Sequence, residues 1–233
     1  SLPAALPIYT GVRVHVATLS RALALIRARR AWPRPTVGCP WSKPRKNRRL
    51  RAIGQLLARL PRGHVAVYAD EVDVHLNPKI GLDWMGYGQQ KEVLTPGQNE
   101  KRYVAGALDA QTGALTWVDG ERKNSVLFIA LLQRLLKVYA DAPVIHVILD
   151  NYRIHKSQIT QRALAGFGGR LRLHFLPPYC PNENKIERLW QDLHAAVTRN
   201  HRCRTMSELM QHVYRYLQRR QRQALRHAQR HAA

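Results

Sequence analysis

The chain has 233 residues, 45% of them hydrophobic, with 38 Lys+Arg against 15 Asp+Glu and a formal charge of +23. That length and apolar content exclude global disorder and allow one ordinary domain with extra segments, or two small domains. The longest unbroken apolar run, Val126 to Leu132, is too short to span a bilayer, and Cys39, Cys180 and Cys203 are too widely spaced for a disulfide framework or a CxxC metal motif.

The charge is unevenly placed. Residues 1–69 hold 14 basic residues and no acid, residues 70–198 hold 15 basic and 14 acidic residues, and residues 199–233 hold 9 basic residues and one acid, Glu208. A nearly neutral centre lies between two basic arms, so a carboxylate site belongs in the centre. Many Lys and Arg gain from counterion release on a phosphate backbone. No basic amphipathic helix with a bulky apolar face points to a membrane surface. DNA or RNA is therefore the expected partner and a membrane is not. The opening SLPAALPIYTGVRV lacks the pattern of a signal peptide, so a cytoplasmic setting is expected.

In chain order, residues 10–29 place Val16, Leu19, Leu23 and Ile26 at helical spacing, with Arg13, Arg21 and Arg27 interspersed. That fits either a helix of the kind that lies in a major groove or an Arg-rich surface helix. Residues 1–30 read as a partial helix-turn-helix segment. Residues 31–62 read as a basic linker with Pro33, Pro35, Pro40 and Pro44, followed by a short helix from Leu50 to Leu60. Its Lys43, Arg45, Lys46, Arg48 and Arg49 join Arg13, Arg21 and Arg27 as expected DNA contacts.

From His64 the period changes to that of a strand, HVAVYADEVDVHL. A Gly-containing insertion (77–101) precedes a predicted hairpin, RYVAGALD and ALTWVDG, turning at Gln111-Thr112-Gly113. A helix over Asn124–Tyr139, the buried strand PVIHVILDN, a helix near Ser157–Ala165 and the strand LRLHFLPP follow. Ile186, Leu189, Trp190, Leu193 and Val197 mark another helix, with Trp190 read as core. The last helix opens on a capping box, Thr205 to Glu208. Residues 63–204 read as the catalytic domain and 205–233 as a basic C-terminal helix. The order is that of an α/β layered fold with a mixed sheet flanked by helices.

Three carboxylates stand out. Alternation puts Asp70 on one strand face with Tyr68, Val72 and Val74, and Glu71 on the other; the opposite register would expose Asp70 instead. Asp150-Asn151 ends an apolar strand, where ligands bind in α/β sheets, although an Asp there also suits a turn. Glu187 falls in the first turn of a helix after a Pro-rich approach, a position that dipole complementation alone would explain. Together they can converge on one crevice and bind hard cations such as Mg²⁺. Two ions there would serve phosphodiester chemistry on a nucleic acid. The histidines form no HExxH motif and no tight Cys/His cluster, and His155 reads either as a helix cap or as a group that orients the site.

YADEVDVHLNP, GALDAQTG, VILDNYRIHKS and PPYCPNENKIERLW resemble the DDE transposases of the Tc/mariner superfamily, bacterial insertion-sequence branch, over about residues 10–220. The resemblance implies a ribonuclease H-like domain in which Asp70, Asp150 and Glu187 hold two Mg²⁺ ions, with Mn²⁺ able to substitute, and Glu71, Asn151 and His155 assist. It also implies cleavage at terminal inverted repeats, strand transfer into target DNA, a homodimer and a bacterial, nucleoid-associated location. Alternatives are a ribonuclease H-type or junction-resolving nuclease, and a DNA-binding remnant. The chain has Asn184-Lys185-Ile186-Glu187 where the family often has Asn-Pro-Ile-Glu. Its 36 residues between Asp150 and Glu187 exceed the commonest spacing, with the excess expected near Gly166–Gly169.

Overall fold

A computed structural model describes residues 14–28 and 38–232, excluding the side chains of 231 and 232. The chain divides into two compact units, residues 1–37 and 38–233. In the first, helix α1 (Val16–Leu25) is capped by His15, whose Nδ1 accepts from the Ala17 N–H at 3.3 Å. Arg13 and the rest of the partial helix-turn-helix lie outside the described residues, as does the Trp32–Pro35 part of the linker.

The second unit opens on α2 (Lys43–Ala58), longer than the sequence suggests. The residues read as linker, Lys43 to Arg49, form its first two turns. Pro44 caused the misreading: a proline in the first turn loses no helical hydrogen bond and fits the helical φ. Five strands follow among the described residues: β1 (Val65–His75), β2 (Lys101–Asp109), β3 (Leu115–Gly120), β4 (Ile145–Leu149) and β5 (Leu171–Phe175). The sheet order is β3-β2-β1-β4-β5; β1, β2 and β3 pair antiparallel, while β4 runs parallel to β1 and β5. Helices α3 (Ser125–Val138), α4 (Gln158–Gly166), α5 (Ile186–Leu193) and α6 (Met206–Ala232) complete the unit.

The alternation read for β1 is the one that forms. Val67 and Ala69 pack under α3 with Leu127, Phe128, Leu131 and Leu135. Tyr68, Val72 and Val74 pack on the opposite face with Ile186, Leu189 and Trp190 of α5. Trp190 is core, 3% exposed. That second cluster also takes Ile53 of α2 and Leu209, Val213 and Leu217 of α6. The segment read as linker plus short helix and the basic C-terminal helix thus both supply core to the same layer.

Two local departures have physical causes. The apolar period that runs on to Val197 hides a change of winding: after Leu193 the helix opens into a π turn, His194–Thr198. At the start of α6 Thr205 Oγ1 accepts from the Glu208 N–H at 3.2 Å, as the capping box requires, while the Glu208 carboxylate reaches past Thr205 and accepts from the Arg204 N–H at 3.0 Å. Before β5 the chain turns through Gly168 and Gly169, at φ 59° and 75°, a conformation that favours glycine.

A candidate carboxylate active site

β1 and β4 run parallel side by side, and β4 ends one residue before Asp150. The chain then turns tightly. Asp150 Oδ1 accepts from the Tyr152 N–H at 2.9 Å, so the turn role and the site role belong to the same side chain. Asn151 Nδ2 donates to the Leu176 carbonyl just beyond β5, and its Oδ1 accepts from Lys156 Nζ at 2.8 Å, tying the two strand ends together. The Asp150 side chain remains half-exposed, at 53%.

Glu187 is brought to the same place by Asn184. The Asn184 Nδ2 donates to the Ala69 carbonyl at 3.1 Å, one residue from Asp70, and its own carbonyl accepts the Glu187 N–H at 3.0 Å. Opposite Asp70 on β2 stands Gly106. A Cβ there would lie 2.6 Å from the Trp190 indole and 3.3 Å from Ile186 Cδ1, so the glycine lets α5 lie directly on the sheet beside Asp70. Gly106→Ala is expected to lower stability by about 1–3 kcal/mol through overpacking. It should also reduce the metal-dependent cleavage that the resemblance implies, because the displaced helix carries Glu187. A thermal melt beside a nicking assay checks both, and an unchanged melt would remove the close-packing argument.

The electrostatics are those of crowded acids. Asp70 is 9% exposed, and burial, with Glu187 and Glu71 nearby, pushes its carboxyl up to about 8. Burial and Asp150 also raise Glu187, which stands close enough to Asp70 to share a hydrogen bond when one of them is protonated. Burial acts upward on Asp150 too, but the His155 ring and the Tyr152 N–H outweigh it and hold the carboxyl below its ordinary range.

His155 does not cap α4. Ser157 does, its Oγ accepting from the Thr160 N–H at 3.2 Å. His155 is instead 1% exposed under Phe128, ring centroids 4.4 Å apart. Its Nε2 lies 3.1 Å from Glu71 Oε1. Its Nδ1 lies 3.1 Å from Asp150 Oδ1 without hydrogen-bond alignment, a charge contact. Burial opposes the charged ring, yet the Asp150 and Glu71 carboxylates raise it to about 9, so it is an imidazolium at neutral pH.

Lys123 went unnoticed in the sequence. Its Nζ donates to the Glu71 carbonyl at 3.2 Å, lies 3.8 Å from Glu71 Oε2 and sits 5.1 Å over the Tyr152 ring. It lowers Asp70, Asp150 and Glu187 alike. Asn184 was missed as well. Nothing local shows which groups their side chains meet, because the partners, Glu71 and Ala69, lie far away in sequence.

Asp150, Tyr152, Asn184 and Glu187 line a cavity of about 630 Å³ walled by Pro177, Pro178 and Pro181. The donors fit a hard divalent cation: three carboxylates lie together, and the buried Asn184 Oδ1 has no hydrogen-bond partner. Elsewhere, Cys203, Glu208 and His212 bring ligand atoms within 4.8 Å of one another, a grouping that their spacing in the sequence does not announce.

The expected DNA contacts divide. On α2, Lys43, Arg45 and Arg48 are exposed, with Arg45 stacked 4.3 Å over Trp41. Arg49 Nε donates to the Phe175 carbonyl at 2.7 Å and pins α2 to β5, while Lys46 is half-buried and reaches the Cys180 thiol. Arg21 and Arg27 belong to the first unit, where Arg21 Nε donates to the Ala17 carbonyl at 3.4 Å. No described helix is long and apolar enough to cross a membrane.

A family model described as DDE superfamily endonuclease matches residues 65–210. The insertion element IS630 uncharacterized 39 kDa protein of Shigella sonnei is 44% identical over 209 residues, 90% of this chain and 60% of that protein. The chain therefore spans less than two thirds of that relative's length. Among solved structures, the Mos1 transposase paired-end complex with left transposon end aligns over 97% of this chain and 74% of that chain, with a TM-score of 0.61 and 15% identity. The catalytic domain of Mos1 mariner transposase aligns over 83% of this chain and 93% of its own, at 0.53 and 13%. At such identities the likeness carries the fold, which is ribonuclease H-like. With its carboxylates on β1, at the end of β4 and at the start of α5, the chain belongs to the DDE superfamily endonucleases.

Proposed function

We propose that the chain is the catalytic part of a bacterial insertion-sequence transposase, cutting DNA at terminal inverted repeats and joining the freed end to target DNA. The observation that carries this reading is the convergence of Asp70, Asp150 and Glu187 in a chain of net charge +23. A bare carboxylate cluster repels DNA, so divalent metal and flanking cations are both required.

Asp70, Asp150 and Glu187 would hold Mg²⁺ or Mn²⁺, two ions in the full site. When bound, such a pair supplies activation of a water or 3′-hydroxyl and stabilisation of the leaving oxygen in an in-line displacement. The rest of the work falls to the protein. His155 fixes the Asp150 carboxylate from behind, Lys123 offsets the buried negative charge, and Asn184 holds the first turn of α5 against β1. The proline wall keeps the crevice open to one side without flexible backbone. Glu71 is the counterion of His155, and Asn151 fixes the turn that presents Asp150.

Arg21, Arg27, Lys43, Arg45 and Arg48 would bind phosphates, and a homodimer would pair two transposon ends. Support for the dimer is the insertion between β1 and β2, where Leu82 is 98% and Trp84 97% exposed, apolar surface that a second copy would cover. The setting for this chemistry is the bacterial cytoplasm, at the nucleoid.

The test is nicking of a duplex carrying the element's terminal repeat, with Mg²⁺ or Mn²⁺, beside Asp150→Ala. Metal-dependent cleavage absent from the variant is the expected result, followed by joining of the 3′-hydroxyl end. Cleavage without joining would move the reading to a nuclease. Tight binding with no cleavage under either metal would make the chain a DNA-binding remnant.

A further inference from the structure

A second concave surface of the second unit, about 690 Å³, lies apart from the carboxylate cavity. It lies where the π turn, the segment 199–205 and the middle of α6 meet. Arg199, Arg202, Arg215, Arg219 and Arg222 line it, and Glu208 is its one acid. Glu208 is already engaged at the start of α6 through the Arg204 N–H. Among the described residues, none of the five arginines comes within 4 Å of a carboxylate. Where α6 faces an acid, its arginine does pair: Arg220 NH2 lies 4.0 Å from Asp192.

Five guanidinium groups gathered in one concavity repel each other, and only mobile counterions relieve that in the free protein. The arrangement selects a polyanion. Arg215, Arg219 and Arg222 fall at i, i+4 and i+7 and so share a helix face. Their span along the axis is roughly 10 Å, which matches about three phosphates of one strand at 3.4 Å each. Arg199 and Arg202 bring charge from a second segment. Arg199 is held there by a β-bridge to Lys79, and the Asn200 side chain clasps the backbone N–H and carbonyl of Gly81, each at 3.0 Å. The field argues against the other candidate for this groove, a cation on Cys203, Glu208 and His212. Burial raises the Cys203 thiol, and five positive charges surround the group.

We propose that this groove grips the backbone of duplex DNA away from the scissile phosphate. Glu187 and Val197 are ten residues apart along α5 and its continuation, roughly 15 Å, or four to five base pairs. The inference rests on the reading of the chain as a DNA-cutting enzyme and names a second hold on that substrate. Guanidinium forks suit phosphate oxygens, and Arg219, 5.6 Å from the Tyr216 ring, is partly preorganised.

The test compares two charge-matched triple variants. Arg215→Ala/Arg219→Ala/Arg222→Ala empties the α6 side of the groove. Arg134→Ala/Lys137→Ala/Arg162→Ala removes equal charge from exposed positions on α3 and α4, across the sheet. Alanine at exposed helix positions keeps helical propensity, and a thermal melt confirms folding. Binding of a labelled duplex of about 24 base pairs is titrated in chelator from about 50 to 200 mM salt, so that cleavage plays no part. The groove variant is expected to lose about 2–3 from the slope of log K against log salt and at least tenfold in affinity, with a much smaller effect for the control. Equal losses in the two variants, or no binding by the unsubstituted chain, would overturn the groove. So would single-stranded RNA displacing the duplex at equal phosphate, which would assign the arginines to RNA. Failure of the transposase reading shows separately, as absence of metal-dependent nicking by a chain that still binds DNA through this groove.

Discussion

Asp70→Asn is expected to abolish metal-dependent cleavage, by a factor of at least 10³, and at the same time to make the metal-free protein more stable. The two effects share one cause. Asp70 is buried among other acids, and its carboxyl is pushed up to about 8 because ionisation there meets desolvation first and then the charges of Glu187 and Glu71. A carboxyl raised above its unfolded value of 3.8 favours folding when protonated, and that contribution is lost as pH rises toward 8. The gap in melting temperature between variant and parent should therefore open between pH 4 and pH 8 in chelator. At about 2–4 °C per kcal/mol for a chain of this size, relief of even 2 kcal/mol shifts the melt by roughly 4–8 °C. Mg²⁺ should stabilise the parent by mass action and leave the variant nearly unmoved. A variant that melts lower than its parent in chelator at pH 8 would show that the cluster is not strained in the way the geometry implies. Crowded buried acids of this kind are a local conflict, which the proposed metal site would explain.

How much of this was readable in advance depended on the distance over which each residue acts. A period of two within one strand separated the faces of Asp70 and Glu71 but left open which of them is inward, and both are buried because β1 is covered on both faces. Asp150 and Glu187 followed from their places at a strand end and a helix start, sharpened by the resemblance. Lys123 reaches Glu71 across 52 residues and Asn184 reaches Ala69 across 115, and no local pattern encodes such a pairing. Gly106 likewise looked like any glycine in a strand until Trp190 was found against it. Two local signals point the wrong way: the prolines before Leu50 hide the first turns of α2, and of the two roles open to His155 the capping one belongs to Ser157 two residues on. The arginines of the groove were visible as composition but not as a concavity, because Arg199 and Arg222 meet only once α6 has packed on the sheet.

The second large effect concerns His155, proposed as a positioning residue because its ring lies between Glu71 and Asp150. As a buried imidazolium between Glu71 and Asp150 it joins the layer under α3 to the carboxylate cluster. His155→Ala leaves the Glu71 carboxylate, 5% exposed, with Lys123 at 3.8 Å as its nearest cation, and opens a void beside Phe128. Breaking one partner from a buried pair costs about 3–5 kcal/mol, so the melting temperature should fall by roughly 10 °C. That loss alone would not separate structure from catalysis. The double change Glu71→Gln/His155→Gln removes both charges together, and replacing a whole buried pair is often neutral for stability. Its melt should return close to that of the parent. Its cleavage should stay down by about 10–100-fold, the usual effect of removing a group that orients a metal-binding carboxylate, and extra Mn²⁺ should recover part of it. If the double variant regained both stability and activity, His155 would be a counterion for Glu71 and nothing more. If it regained stability alone, the ring is what holds Asp150 ready, and the pairing of Glu71 with His155 is the means by which the core sets the geometry of the active carboxylate.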